Sequence, residues 1–254
     1  MLTMQTFGED TTRPPILIVH GLFGSGRNWN VIAKRLSDER RIVSVDMRNH
    51  GDSPQFATQS YYDMAEDLAK VVRQIGGQAD VIGHSMGGKA SMILALDNGA
   101  LVNRLLVADI APVPYAHSQQ SMIEAMRSID LSRVNTRADA DQQLAQVLDD
   151  VSVRAFLLQS LNVKARQWKL NLNVLEAEMA KIVGFPDVSG TFTGPTLFLA
   201  GATSDYVLPE HRPTIKALFP AARQAKIPGA GHWLHAEKPR EFEAAARSFL
   251  NHPA

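Results

Sequence analysis

The chain has 254 residues, 45% of them hydrophobic and 20% charged, a composition and length that suit one α/β domain carrying an inserted segment. Twenty-six basic residues balance twenty-six acidic ones, so no net field draws the chain toward nucleic acid or an anionic membrane. There is no cysteine, which excludes disulfides, thiolate metal sites and a cysteine nucleophile.

The first ten residues have neither a basic n-region nor an apolar h-region. No apolar run approaches the ~20 residues that span a bilayer. The expectation is a soluble, cytoplasmic protein. Residues 15–20 then form a short continuous apolar run ending at Gly21, the pattern of a strand buried on both faces. Residues 41–46, 79–83, 104–108, 196–200 and 224–227 repeat that pattern. Over residues 62–75, Met64, Ala65, Leu68, Val71, Val72 and Ile75 fall on one face at a period of 3.6, which predicts a helix. Residues 87–96 read as a tightly packed helix rich in Ala and Met. Residues 239–250 start on a first-turn proline and turn Phe242, Ala245, Ala246 and Phe249 inward.

Strands alternating with helices predict a parallel sheet covered on both faces. One stretch breaks the alternation. Between about residues 114 and 193 only helical patterns occur, over 121–129, 138–147, 153–160 and 170–182. The expected organisation is therefore a core domain of residues 1–113 and 194–254 with a helical cap, residues 114–193, inserted into it.

Gly83-His84-Ser85-Met86-Gly87 follows a predicted strand and precedes a predicted helix, the context in which a G-x-S-x-G turn exposes a nucleophilic serine. The same residues overlap most of a phosphate-binding loop, Gly83 to Gly88 followed by Lys89. That loop needs Ser or Thr next, to hold magnesium; Ala90 stands there instead, and the nucleotide reading loses. Lys89 is expected on the helix surface or in a local ion pair, not as a catalytic residue. After the first strand, His20-Gly21-Leu22-Phe23-Gly24 allows the chain to turn so that a backbone N–H, of Leu22 or else of Phe23, faces a developing oxyanion together with that of Met86. Gly229-Ala230-Gly231-His232 follows the last strand, where His232 can reach Ser85 as general base. His232, His235 and Glu237 could be imagined around a metal, but their spacing matches no helical metal motif. His20 and His84 flank turns and read as structural.

Together and in this order these segments resemble the α/β-hydrolase fold family, over nearly the whole chain. More narrowly, residues 20–25, 46–51, 83–90, 109–112 and 229–239 resemble the bacterial YbfF-type esterases. The resemblance implies an α/β-hydrolase fold: a mostly parallel central sheet, helices on both faces and an inserted helical cap. It also implies hydrolysis of carboxylic esters, or of acyl thioesters, without a cofactor. Ser53, in the turn after the second strand, reads as structural. The acid departs from the wider family's pattern. Ser204 fills the usual position after the penultimate strand, and Asp205 stands one residue late. Asp109, at the end of the strand that follows the nucleophile helix, is the favoured acid, with Asp205 the alternative and Ser204 a hydrogen-bonding neighbour.

The expected partner is a small-molecule acyl ester or thioester. A same-fold hydrolase of C–C or amide bonds, a cofactor-free peroxidase and a non-catalytic binding protein are the rival readings; the last normally lacks the nucleophile or the base, and both are present here.

Overall fold

Residues 16–19 and 42–45, every one of them buried, become adjacent parallel strands at the middle of a sheet. In the computed structural model, which describes residues 1–252, the chain runs β1 (Met4–Phe7), β2 (Ile16–Val19), α1 (Asn30–Leu36), β3 (Ile42–Val45), α2 (Tyr61–Ile75), β4 (Ala79–His84), α3 (Met86–Asp97) and β5 (Val102–Ala108). Between β5 and the next strand of the sheet lie α4 (Gln120–Arg127), α5 (Arg137–Leu144), α6 (Val151–Leu158), β6 (Leu161–Asn162), β7 (Gln167–Trp168), α7 (Leu172–Ala177) and α8 (Met179–Val183). The chain then returns to β8 (Thr196–Gly201), α9 (Arg212–Leu218), β9 (Ala222–Ile227), α10 (Leu234–Glu237) and α11 (Pro239–Leu250).

The seven-stranded sheet has the order β1-β3-β2-β4-β5-β8-β9, parallel except for β1, which pairs antiparallel with β3. This is the mostly parallel sheet that the strand–helix rhythm predicts, in the α/β-hydrolase architecture that the resemblance implies. Central strands buried on both faces read as unbroken apolar runs, whereas the edge strand β1 is half-exposed, shows no such run and escaped the sequence reading. On one face of the sheet α2 and α3 pack with β4 and β5. On the other, Trp29, Ile32, Phe242 and Ala246 of the α1 and α11 region close a second core. The apolar stripe of α2 is buried as its period requires, and Ser60 caps the helix by accepting the Asp63 N–H.

The segment between β5 and β8 is not purely helical. Leu161 and Trp168 pair across the short hairpin β6–β7, whose two-residue strands are too brief to leave a period in the sequence. The single helix expected over 170–182 begins instead at the Asn171 cap and is divided into α7 and α8 at Glu178 (φ −96°, ψ 6°). From the segment between β5 and β8, Leu157, Leu158, Leu175 and Ile182 join the core that contains α2 and α3. Among the described residues, no helix is long and apolar enough to cross a membrane.

The turn from β4 into α3 is tightly packed. A Cβ on Gly87 would stand 2.4 Å from the His20 carbonyl oxygen and 2.6 Å from that of Val19. Strand β2 therefore approaches α3 as closely as a backbone without a side chain allows. Gly87→Ala is expected to lower stability by about 1–3 kcal/mol through overpacking against a backbone that cannot yield. Urea unfolding of the variant beside the parent protein measures this, and an unchanged midpoint would contradict it.

Candidate active site

Ser85 sits at the C-terminal end of β4 with φ 52° and ψ −121°, a backbone region that side chains other than glycine avoid. Its N–H donates to the Ala108 carbonyl of β5, while its own carbonyl accepts the Lys89 N–H and starts α3. The turn thus lifts the hydroxyl out of the sheet edge into a cavity of about 290 Å³. Met86 opens α3, where a first-turn N–H has no intrahelical acceptor.

Four buried histidines surround this turn, and hydrogen bonds fix where the proton sits on three of them, His20, His50 and His84. The His20 Nε2 atom accepts the Met47 N–H (2.9 Å), so its Nδ1 must carry the proton donated to the Gly21 carbonyl (2.8 Å). His50 repeats the arrangement: Nε2 accepts the Phe23 N–H (3.2 Å) and Nδ1 donates to the Arg48 carbonyl (2.8 Å). Burial pushes His20 down to about 4 and His50 to about 3. His84 donates from Nε2 to the His232 carbonyl (2.9 Å), anchoring that loop, and burial holds it well below the ordinary value. His235 lies flat on the Trp29 indole, ring centroids 3.9 Å apart, and is pushed to about 3 by burial.

The His50 bond separates the two candidate donors of the 20–24 turn. Phe23, at φ 63°, gives its N–H to an imidazole, whereas the Leu22 N–H has no acceptor among the described residues. Asp46 braces the same turn from β3, its Oδ1 accepting the Gly26 N–H and its Oδ2 the Asp52 N–H, both at 2.8 Å. Ser53 donates to the Asp46 carbonyl at 2.5 Å, a bond within the scaffold.

His232 follows β9 and lines the cavity together with Ser85. Its Nδ1 lies 2.8 Å from Asp109 Oδ2, and Tyr206 stacks on its ring with centroids 4.0 Å apart. Ser85 Oγ and His232 make no direct hydrogen bond among the described residues; such contacts commonly tighten only when substrate is present. Asp109 ends β5 at φ 51° and is fully buried. Its Oδ1 accepts the Gly201 N–H (2.8 Å), and its Oδ2 also accepts the Ser204 hydroxyl (2.5 Å). Asp205 points outward, exposed and without a contact to His232.

One expectation needs correction. Lys89 is not on the surface: it is 1% exposed, because the segment after β5 covers the face of α3 from which it projects. Its Nζ donates to the Val183 and Gly184 carbonyls at the end of α8. The imagined metal set does not converge. Glu237 instead accepts the Gly231 N–H (2.6 Å) and Trp233 N–H (3.2 Å), and no group of three potential ligands occurs among the described residues. Tyr115, Tyr206 and Trp233 line the cavity without having been singled out in the sequence, where nothing distinguishes them from core aromatics.

The sequence matches the alpha/beta hydrolase family over residues 16–245. The chain belongs to that family. It is 43% identical to the sn-1-specific diacylglycerol lipase ABHD11 of Mus musculus, over 98% of this chain and 85% of that protein. It is 39% identical to Esterase YbfF of Escherichia coli, over 97% of each. A solved marine microorganism esterase superposes with a TM-score of 0.92, at 39% identity, covering 98% of both chains. With esterases and lipases matching along its whole length, this alpha/beta hydrolase is an enzyme of the carboxylic ester hydrolase class.

The buried histidines make acid stability testable. A histidine held near 3 or 4 in the fold but 6.5 when unfolded is neutral in both states above about 6.5. As pH falls below that, the unfolded chain binds the proton first, so stability is lost between about 6.5 and 4. Each such histidine contributes roughly 1 kcal/mol per pH unit in that window. Urea midpoints should fall steeply there, and less steeply in His235→Phe, which keeps a ring against Trp29. Equal slopes for the two proteins would contradict the assignment.

Proposed function

We propose that the chain hydrolyses carboxylic esters, and acyl thioesters by the same route, through a covalent acyl-enzyme on Ser85. The observation that carries this reading is the 2.8 Å contact between His232 Nδ1 and the buried Asp109 carboxylate, at the wall of a cavity into which Ser85 also opens. A proton fixed on Nδ1 leaves the Nε2 lone pair as the base. Ser85 Oγ attacks the carbonyl carbon while His232 takes its proton. The carbonyl oxygen becomes an oxyanion held by the Leu22 and Met86 N–H groups. When it collapses, the bond to the alcohol or thiol breaks and His232 returns the proton to the departing group. Water then attacks the acyl carbon, giving a proton to His232; the acid leaves and Ser85 recovers its hydrogen.

In this reading Asp109 orients His232 and stabilises the imidazolium, and Ser204 positions Asp109 without adding charge. Residues 114–193 act as a cap that closes the acyl site from above, with Met122, Phe156 and Leu157 among the apolar side chains it contributes to the cavity. The mostly apolar lining supports an acyl chain as the bound group, and the lipase and esterase names among the relatives support the same class.

A fluorophosphonate probe tests the nucleophile: the protein should label and Ser85→Ala should not, with ester hydrolysis falling about 10⁴-fold or more while the fold persists. Equal labelling of the two would overturn the reading. Asp109→Asn should lower kcat by about 10⁴-fold, because the amide favours the wrong imidazole tautomer. Asp205→Asn should stay within a few-fold of the parent, and the reverse ranking would move the acid to Asp205.

A further inference from the structure

Lys89 stands four residues beyond Ser85, in the first turn of α3, and it lines the same cavity. It is a buried cation with no carboxylate within ion-pair distance among the described residues. Two of its three N–H bonds go to carbonyl oxygens, Val183 at 3.0 Å and Gly184 at 2.5 Å. Otherwise its charge meets only ring faces, Tyr115 at 4.6 Å and Tyr61 at 5.8 Å from the ring centroids. Those rings keep their own polar ends elsewhere. Tyr61 donates to the Ile182 carbonyl, and Tyr115 donates to the Tyr206 carbonyl while accepting the Ala111 N–H.

An ammonium in a mostly apolar pocket is costly unless something compensates it. Burial alone draws this amine from 10.5 down to about 7. Carbonyl dipoles and π faces offset part of that cost, and one N–H still lacks an oxygen acceptor. An apolar chain reaching this end of the cavity would strip the ammonium of its remaining solvation and return nothing. A carboxylate there would complete its third hydrogen bond and neutralise it.

From this geometry we infer that Lys89 is a specificity-determining residue that binds a carboxylate on the far end of the substrate, so that the site favours half-esters of dicarboxylic acids over alkyl esters of equal chain length. The inference rests on the ester-hydrolase reading and adds a substrate class to it. A lysine serving only to tie α8 to α3 would affect all esters alike, whereas a recognition group changes the ratio between matched esters.

The test is kcat/KM for p-nitrophenyl half-esters of succinate, glutarate, adipate and suberate, each beside the alkanoate ester of the same chain length. In the parent enzyme at least one half-ester should exceed its alkyl partner by about tenfold, the effect of one charge-assisted hydrogen bond. That ratio should collapse toward one in Lys89→Met, which keeps the side chain's length, and survive in Lys89→Arg, which keeps the charge. If the parent prefers the alkyl ester at every length, the inference fails whatever the variants do, including any that fail to fold. An unchanged ratio in Lys89→Met overturns it equally. Absence of all ester hydrolysis and of probe labelling on Ser85 would instead overturn the ester-hydrolase reading itself.

Discussion

A carboxylate removed from water must find donors for both oxygens, and the requirement of Asp109 organises the candidate site. Its oxygens collect the Gly201 N–H at the end of β8, the Ser204 hydroxyl one turn later, and the ring N–H of His232 beyond β9. Two segments distant in sequence, the turn after β8 and the loop after β9, are thereby fixed to the end of β5. These donors leave neither carboxylate oxygen without a partner. In the proposed mechanism Asp109 acts from β5, where the wider family's pattern has its acid after the penultimate strand. Residue 204 need not be acidic if a hydroxyl there completes the coordination of a carboxylate arriving from the neighbouring strand.

The same logic extends to backbone strain. Among the described residues that are not glycine, five have positive φ, and Phe23, Asn49, Ser85 and Asp109 belong to the turns at this end of the sheet. Each lies in or beside the hydrogen-bonded net: Phe23 bonded to His50, Asn49 next to it, Ser85 to β5 and Asp109 to β8. Such conformations cost on the order of 1–3 kcal/mol each and persist only where neighbours determine them more than once. The neutral histidines supply that redundancy. A protonated His20 or His50 would lose the lone pair that accepts the Met47 or Phe23 N–H, so the integrity of the turn depends on their staying uncharged.

Legibility in the sequence followed the range of the interactions. Ser85 was readable because its glycines, strand and helix are contiguous, and His232 because the glycines before it lie in one loop after one strand. The central strands were readable because burial on both faces leaves apolar runs; β1 and the β6–β7 hairpin, short and half-exposed, leave none. The choice between Leu22 and Phe23 was not readable, since it turns on an imidazole 27 residues away whose acceptor atom only the fold brings near. Asp109 and Asp205 were both visible as carboxylates at strand ends. Their difference, full burial against exposure, appears only when β5 is set between β4 and β8 in the sheet.

Lys89 was misread for a reason that also explains its chemistry. A lysine on a helix is ordinarily a solvated face, and that inference assumes the helix has one. Helix α3 lies between the sheet, α2 and the segment that follows β5, and it is buried from Met86 through Ala95. Lys89 therefore cannot reach bulk water, and its neighbours answer its charge with dipoles and π faces, not an opposite charge. Asp109 is the contrasting case, with donors on both oxygens and little left for a ligand to supply. Of the two buried charges, only the ammonium retains unmet hydrogen-bonding capacity beside the cavity. Binding free energy for a charged substrate group is therefore available at Lys89, and hardly at all at Asp109.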